Sequence, residues 1–200
     1  MIRIFLLLGV SLFISGCASN VIHQVNLRGV SEANAVTLVS DCDSTCENYI
    51  EEKFQVETSF DIMSGRDVVK YVILSEIDGV RGRGVNYDPS GAFNSEWDGG
   101  FTIKTSPGLK KLVITPTSTH MAPKQTREIS FETHSSKTYL VAQLHSWRKY
   151  KGIQINEWSP LVVDLESREI IIPSGEPIWN KYCFRAAEFG GYRQCPDESR

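Results

Sequence analysis

The sequence predicts a mainly β fold: an antiparallel β-sandwich with one short amino-terminal α-helix and an irregular carboxyl-terminal arm. Three observations carry the prediction. Seven to nine short runs rich in Val, Ile, Thr, Tyr and Phe are separated by turn signals at intervals of about ten residues, the rhythm of a sandwich. A single convincing stretch has apolar residues at the three-and-four spacing of an amphipathic helix. Beyond Pro173, where Pro177, Trp179, Gly190, Gly191 and Pro196 follow, no period is sustained.

The first two runs, Val21 to Val30 and Ala35 to Val39, flank Ser-Glu-Ala-Asn and read as strands. In the second, Ala35, Thr37 and Val39 alternate with Val36, Leu38 and Ser40. The helix follows. Asp43 or Ser44 can cap it, Ser44 and Glu47 have the spacing of a capping box, and Cys46, Tyr49, Ile50 and Phe54 then share one face. Lys70 to Leu74 is a strand that ends at the turn signal Ile77-Asp78-Gly79. A Gly-rich stretch to Gly100 reads as a mobile loop. Phe101 to Thr105, the turn Ser106-Pro107-Gly108 and Leu109 to Thr115 form a strand pair, as do Arg127 to Thr133 and Thr138 to His145 around Ser135-Ser136-Lys137, which together predict a meander. Gly152 to Trp158, Pro160 to Leu165 and Glu169 to Ile172 complete the strands, with turns at Ser159-Pro160 and Glu166-Ser167.

The amino terminus has a different character. Arg3 is a lone positive charge, Ile4 to Ile14 is an apolar run of 11 residues, and Ile14-Ser15-Gly16 places small residues directly before Cys17. This is the anatomy of a secretory signal peptide, and the run is too short for a membrane span, which needs about 20 residues. A cysteine directly after the small residues resembles the lipobox of bacterial lipoproteins. The resemblance implies removal of residues 1–16, diacylation of Cys17 on sulfur and acylation of its new amine. Three acyl chains would hold the protein stably on a bilayer, since one alone binds reversibly. Ala18 occupies the second mature position; in the sorting rule that the resemblance brings with it, the lack of Asp there directs the protein to the outer membrane. The expected organisation is therefore a signal peptide at 1–16, a lipidated tether with the first strand at 17–30, a mainly β domain at 31–172 and an arm at 173–200.

Loss of residues 1–16 leaves 184 residues, a length that suits one domain with its own core. The mature chain carries 20 basic against 24 acidic residues, so neither sign dominates and no basic face for nucleic acid is expected. The one dense basic cluster, Arg148-Lys149-Tyr150-Lys151, reads as a solvated turn. With Cys17 lipidated, four cysteines remain, an even set for an oxidising compartment. Local pairing, Cys42 with Cys46 and Cys183 with Cys195, is the simplest of three connectivities; joining one amino-terminal cysteine to each tail cysteine is the competing arrangement.

Residues 70–145 also resemble the small β-sandwich modules of transthyretin-like or PEGA-like fold found in bacterial envelope proteins. The matching pieces are Ile77-Asp78-Gly79 after a strand, Ser106-Pro107-Gly108 followed by Leu109 to Ile114, and Ser136-Lys137-Thr138-Tyr139-Leu140, with Ser136 where the modules have glycine. The resemblance implies a structural or binding element and brings no catalytic residues with it.

Other constellations explain themselves structurally. Asp41, Asp43, Thr45 and Glu52 have the oxygen spacing of a calcium loop, yet Cys46 stands where that loop needs glycine. His23, His120, His134 and His145 lack the spacing of a zinc site, so no metal or cofactor is expected. Cys42 and Cys46 have three intervening residues rather than the two of a redox motif. Glu96 and Asp98 beside Trp97 could serve sugar chemistry but fit a solvated loop. Trp147, Trp158 and Trp179 would anchor a protein partner or a glycan if exposed, and fill the core otherwise. No nucleophile elbow, phosphate loop or zinc-protease motif is present. The expectation is a lipid-anchored envelope protein, facing the periplasm, that binds or scaffolds without catalysis. Its rivals are a periplasmic hydrolase or thiol-disulfide protein, and an accessory subunit of a surface or secretion assembly.

Overall fold

A computed structural model describes residues 22–54, 64–69, 72–82, 86–87, 93–94, 100–116, 126–150, 153–185, 192–193 and 195. The chain is mainly β. In order come β1 (Ile22–Val25), a 3-10 turn at Glu32–Asn34, β2 (Val36–Val39), α1 (Ser44–Phe54), β3 (Ser64–Val69), β4 (Val72–Ile77), β5 (Val80–Arg81), β6 (Asn86–Tyr87) and β7 (Phe93–Asn94). They are followed by β8 (Thr102–Thr105), β9 (Gly108–Pro116), β10 (Arg127–Thr133), β11 (Thr138–Tyr150), β12 (Ile153–Asp164), β13 (Ile170–Ile172), β14 (Asn180–Arg185) and β15 (Tyr192–Arg193). No helix among the described residues is long and apolar enough to cross a membrane.

The spine is the long antiparallel hairpin β11–β12, paired from Tyr139 opposite Asp164 to Tyr150 opposite Ile153. Each outer edge of this hairpin serves two short strands. On β11, β2 pairs with residues 138–140 and β3 with 143–148; on β12, β14 pairs with 153–158 and β13 with 162–163. With β8 and β1 beyond β2, and β15 beyond β14, these make a nine-stranded sheet. A second sheet runs β10-β9-β4-β5, and β6 pairs with β7 alone.

Because side chains alternate across a strand, β11 and β12 feed two cores. Tyr139 and Val141 with Trp158 and Val162 meet Leu74, Leu112, Ile114 and Phe131 of the second sheet, which makes the sandwich. Leu140, Ala142 and Leu144 with Leu161 and Val163 point the other way, onto Ile50 of α1. The molecule is thus layered as small sheet, large sheet and helix.

The sandwich closes differently from the expected meander. Ser106-Pro107-Gly108 joins β8 in the large sheet to β9 in the small one, and Ser135-Ser136-Lys137 joins β10 in the small sheet to β11 in the large one. Both turns are corners where the chain changes layer. Gly108 at φ 112° and Ser136 at φ 65° supply the left-handed backbone these corners need. The corners are latched: Ser136 Oγ donates to the Ala33 carbonyl at 2.6 Å, and Lys110, nearly buried, meets the Asp78 carboxylate, whose other oxygen accepts from the Lys111 N–H at 2.8 Å. Asp78-Gly79 is a true hairpin turn, with φ values of 48° and 82° between β4 and β5.

Three further expectations are corrected. The large sheet is mixed, because β1 runs parallel to β8 and β2 parallel to β11; chain direction was invisible in runs that were read only for alternation. Ser159-Pro160 makes no turn and lies within β12, at a point that faces neither β14 nor β13, so the missing N–H of proline costs no pairing on that edge. The arm is part of the sheet through β14 and β15, which removes the boundary drawn at residue 173. Of the two caps the sequence offers, Asp43 serves α1: its Oδ1 accepts from the Cys46 N–H at 2.9 Å. The stretch read as a mobile loop falls mostly outside the described residues; within it only β5, β6 and β7 are described, besides residue 82 and Gly100.

Candidate functional site

The large sheet's second face is covered by α1 and by the segment that links β13 to β14. Capped by Asp43, the helix sets Ile50 fully down on the sheet and leaves Tyr49 and Phe54 half-buried on its flank. The linking segment leaves β13, turns through the buried Pro173, and passes Ser174, Gly175, Glu176 and Pro177 in irregular backbone before Trp179 leads into β14. Trp179 packs on the same core cluster as Ile50 yet keeps part of its surface exposed.

Between them lies a groove of about 670 Å³. Tyr49, Phe54 and Trp179 give it aromatic surface; Lys53, Glu169 and Glu176, all exposed, give it one cation and two carboxylates. Its size is that of a small-molecule or short-oligomer cleft. Aromatic faces combined with both donors and acceptors suit an amphipathic ligand that stacks on one side and hydrogen-bonds on the other.

The cysteines pair locally. Cys42 and Cys46 lie at disulfide distance with Cα atoms 5.9 Å apart, as do Cys183 and Cys195 with Cα atoms 5.2 Å apart. The first pair sits at the start of α1 and packs on the helix-side core; the second ties residue 195 to β14. Cys17 lies outside the described residues, as do His120, Lys151, Glu96, Trp97 and Asp98.

The remaining residues singled out by sequence are scattered over the fold, apart from His145 and Trp147, which stack on each other. Asp43 is the helix cap and Asp41 Oδ1 accepts from the Cys42 N–H at 2.9 Å, so these two carboxylates serve local backbone. His23 lies in β1, His134 just after β10, and His145 in β11 stacked on Trp147 with ring centroids 5.6 Å apart. Among the described residues no group of three or more His, Cys, Asp or Glu could hold a metal ion. Arg148 is at the end of β11, not in a turn, and meets Glu157 at 2.9 Å, which Lys181 also approaches at 3.5 Å. Trp158 is wholly buried, Trp147 is half-buried, and Trp179 alone of the three lines the groove.

A charged knot lies near the β10–β11 corner. Lys137 meets Glu166 at 2.7 Å and Asp164 at 3.5 Å. The hydrogen bond to Glu166 holds the Lys137 amine above its ordinary value. Burial works to raise Asp164, but the backbone N–H groups of Ser167 and Glu166 outweigh it and the carboxyl sits below its ordinary value. Tyr139 is shifted upward by burial, while its oxygen accepts from the His134 N–H at 3.1 Å. These groups clamp the corner against the end of β12.

Sequence reasoning found Tyr49, Phe54 and Trp179 but read the first two as the helix's core face. It missed Lys53, Glu169 and Glu176, for a polar residue in an irregular segment gives no signal of what it faces. No protein-family model matches the chain, and no curated protein and no solved structure matches it significantly.

Proposed function

We propose that the protein is a lipid-anchored binding module of the bacterial cell envelope, held by Cys17 in the outer membrane and facing the periplasm, with the helix-side groove as its recognition surface. The observation that carries this reading is Cys17 directly behind Ile14-Ser15-Gly16 and the apolar run from Ile4. Two structural facts support it. The first strand among the described residues starts at Ile22, five residues past Cys17, so a lipid on Cys17 would keep the body within about 18 Å of the bilayer. The aromatic groove supplies a surface suited to binding.

Expression of the full chain in a bacterium with two membranes tests the anchor. The expected product begins at Cys17, carries the mass of three acyl chains and sediments with outer membranes, while Cys17→Ser releases the protein. A terminus at Cys17 that bears no lipid, or a Cys17→Ser protein that stays wholly with membranes, overturns the reading.

A further inference from the structure

We infer that the groove between α1 and residues 169–179 takes a neutral, hydroxyl-rich oligosaccharide; this deepens the binding reading above and rests on the groove being its recognition surface. The lining selects by charge. Glu169 and Glu176 disfavour a polyanion such as a nucleic acid or a phosphate polymer, and Lys53 offsets one of the two carboxylates so that the lining is only weakly acidic. A purely apolar occupant would leave the hydrogen-bonding capacity of these three exposed side chains unused. A pyranose chain meets every part of the lining. Its C–H faces lie on Tyr49, Phe54 and Trp179, and its hydroxyls donate to the two carboxylates and accept from the lysine.

The frame is suited to such a ligand. Ile50 and Trp179 are packed on the large sheet, and Pro173 and Pro177 restrict the linking segment, so the aromatic faces are held rather than assembled on binding. An aromatic platform that is already ordered loses little entropy when a flexible sugar settles on it. Trp179 occupies the position of an anchor, with its inner edge in the core and its outer surface on the groove.

The test uses the mature lipidated protein in detergent, titrated with tetrasaccharides of glucose and of N-acetylglucosamine and followed by calorimetry. Binding of at least one is expected, weakened about tenfold or more by Trp179→Ala, as for other aromatic anchors. Trp179→Phe should restore part of the affinity. Glu176→Gln, a change at an exposed residue outside the core, should weaken binding without moving the thermal transition, which covers the case in which Trp179→Ala fails to fold. Silence from both sugars, or binding indifferent to Trp179 and Glu176, overturns the inference. If both sugars are silent but a peptide library yields binders that Trp179→Ala abolishes, the groove remains a recognition surface and the oligosaccharide assignment alone falls.

Discussion

The two faces of the large sheet are finished by different means. One is covered by another sheet, and there Leu112, Ile114, Trp158 and Val162 are wholly inaccessible to solvent. The other is covered by α1, where Ile50 is sealed but Tyr49, Phe54 and Trp179 are only half-buried. The cause is length. An 11-residue helix spans about 16 Å, whereas the 13 residues of β11 span about 43 Å. A sheet can match a sheet; a short helix leaves a remainder, and an irregular segment with two prolines and a tryptophan fills it imperfectly. The groove is that imperfection. Both faces contribute sealed core, since Leu140, Leu144, Leu161 and Val163 on the helix side are as inaccessible as Trp158 and Val162, but the helix side leaves Tyr49, Phe54 and Trp179 partly exposed along the groove.

The sharpest way to break this contrast is to truncate one tryptophan on each face. Trp158→Ala should destabilise the protein by about 3–5 kcal/mol, the cost of emptying a sealed core site. Trp179→Ala should cost no more than about 2 kcal/mol, since part of the ring is already in water. Urea unfolding of both variants measures the difference, and equal losses would mean that the helix face is as much a core as the sandwich.

Next in size are the two cysteine pairs, one at the start of α1 and one on β14. Cys195→Ser opens a bridge with a sequence separation of 12 and should remove about 3 kcal/mol; Cys42→Ser opens one with a separation of 4 and should remove about 2 kcal/mol. Hydrogen exchange locates each loss: the first should loosen β14 and β15 on the sheet, the second the first turn of α1. Loosening of β14 in the Cys42→Ser variant would tie together regions that the layered arrangement keeps separate.

The smallest effect is expected at the knot that holds the corner between the sheets. Asp164 is depressed below 3.8 by backbone N–H groups and Lys137, so its stabilising contribution is complete above 3.8 and is lost as the pH falls through the lower folded value. Thermal transitions of Asp164→Asn should lie below wild type near neutrality and converge with it in acid. A constant gap across the acid range would show that the carboxylate's charge plays no part in the clamp.

How far the sequence speaks depends on whether a feature is local. The helix was legible because Cys46, Tyr49, Ile50 and Phe54 fall on one face within a few turns, and the Asp78-Gly79 hairpin because two adjacent residues must adopt positive φ. Local cysteine pairing was legible for the same reason of short chain distance. The corners at 106–108 and 135–137 were not, because a corner and a hairpin have the same composition and differ only in which strand lies alongside. Pro160 misled for a related reason. A proline reads as a turn unless one knows that the strands on the outer edge of β12 stop short of it.

Alternation within each run by itself determined that this chain would be β-rich, and one capped, periodic stretch determined its helix, since both depend on residues a few positions apart. The layer to which each strand belongs, the parallel pairs in the large sheet, the absorption of the arm and the groove beside Trp179 were decided only by tertiary structure. The physical reason is that burial is shared between residues far apart in the chain. An apolar face must find cover, and the size and shape of the cover that arrives decide which side chains are sealed and which stay partly exposed.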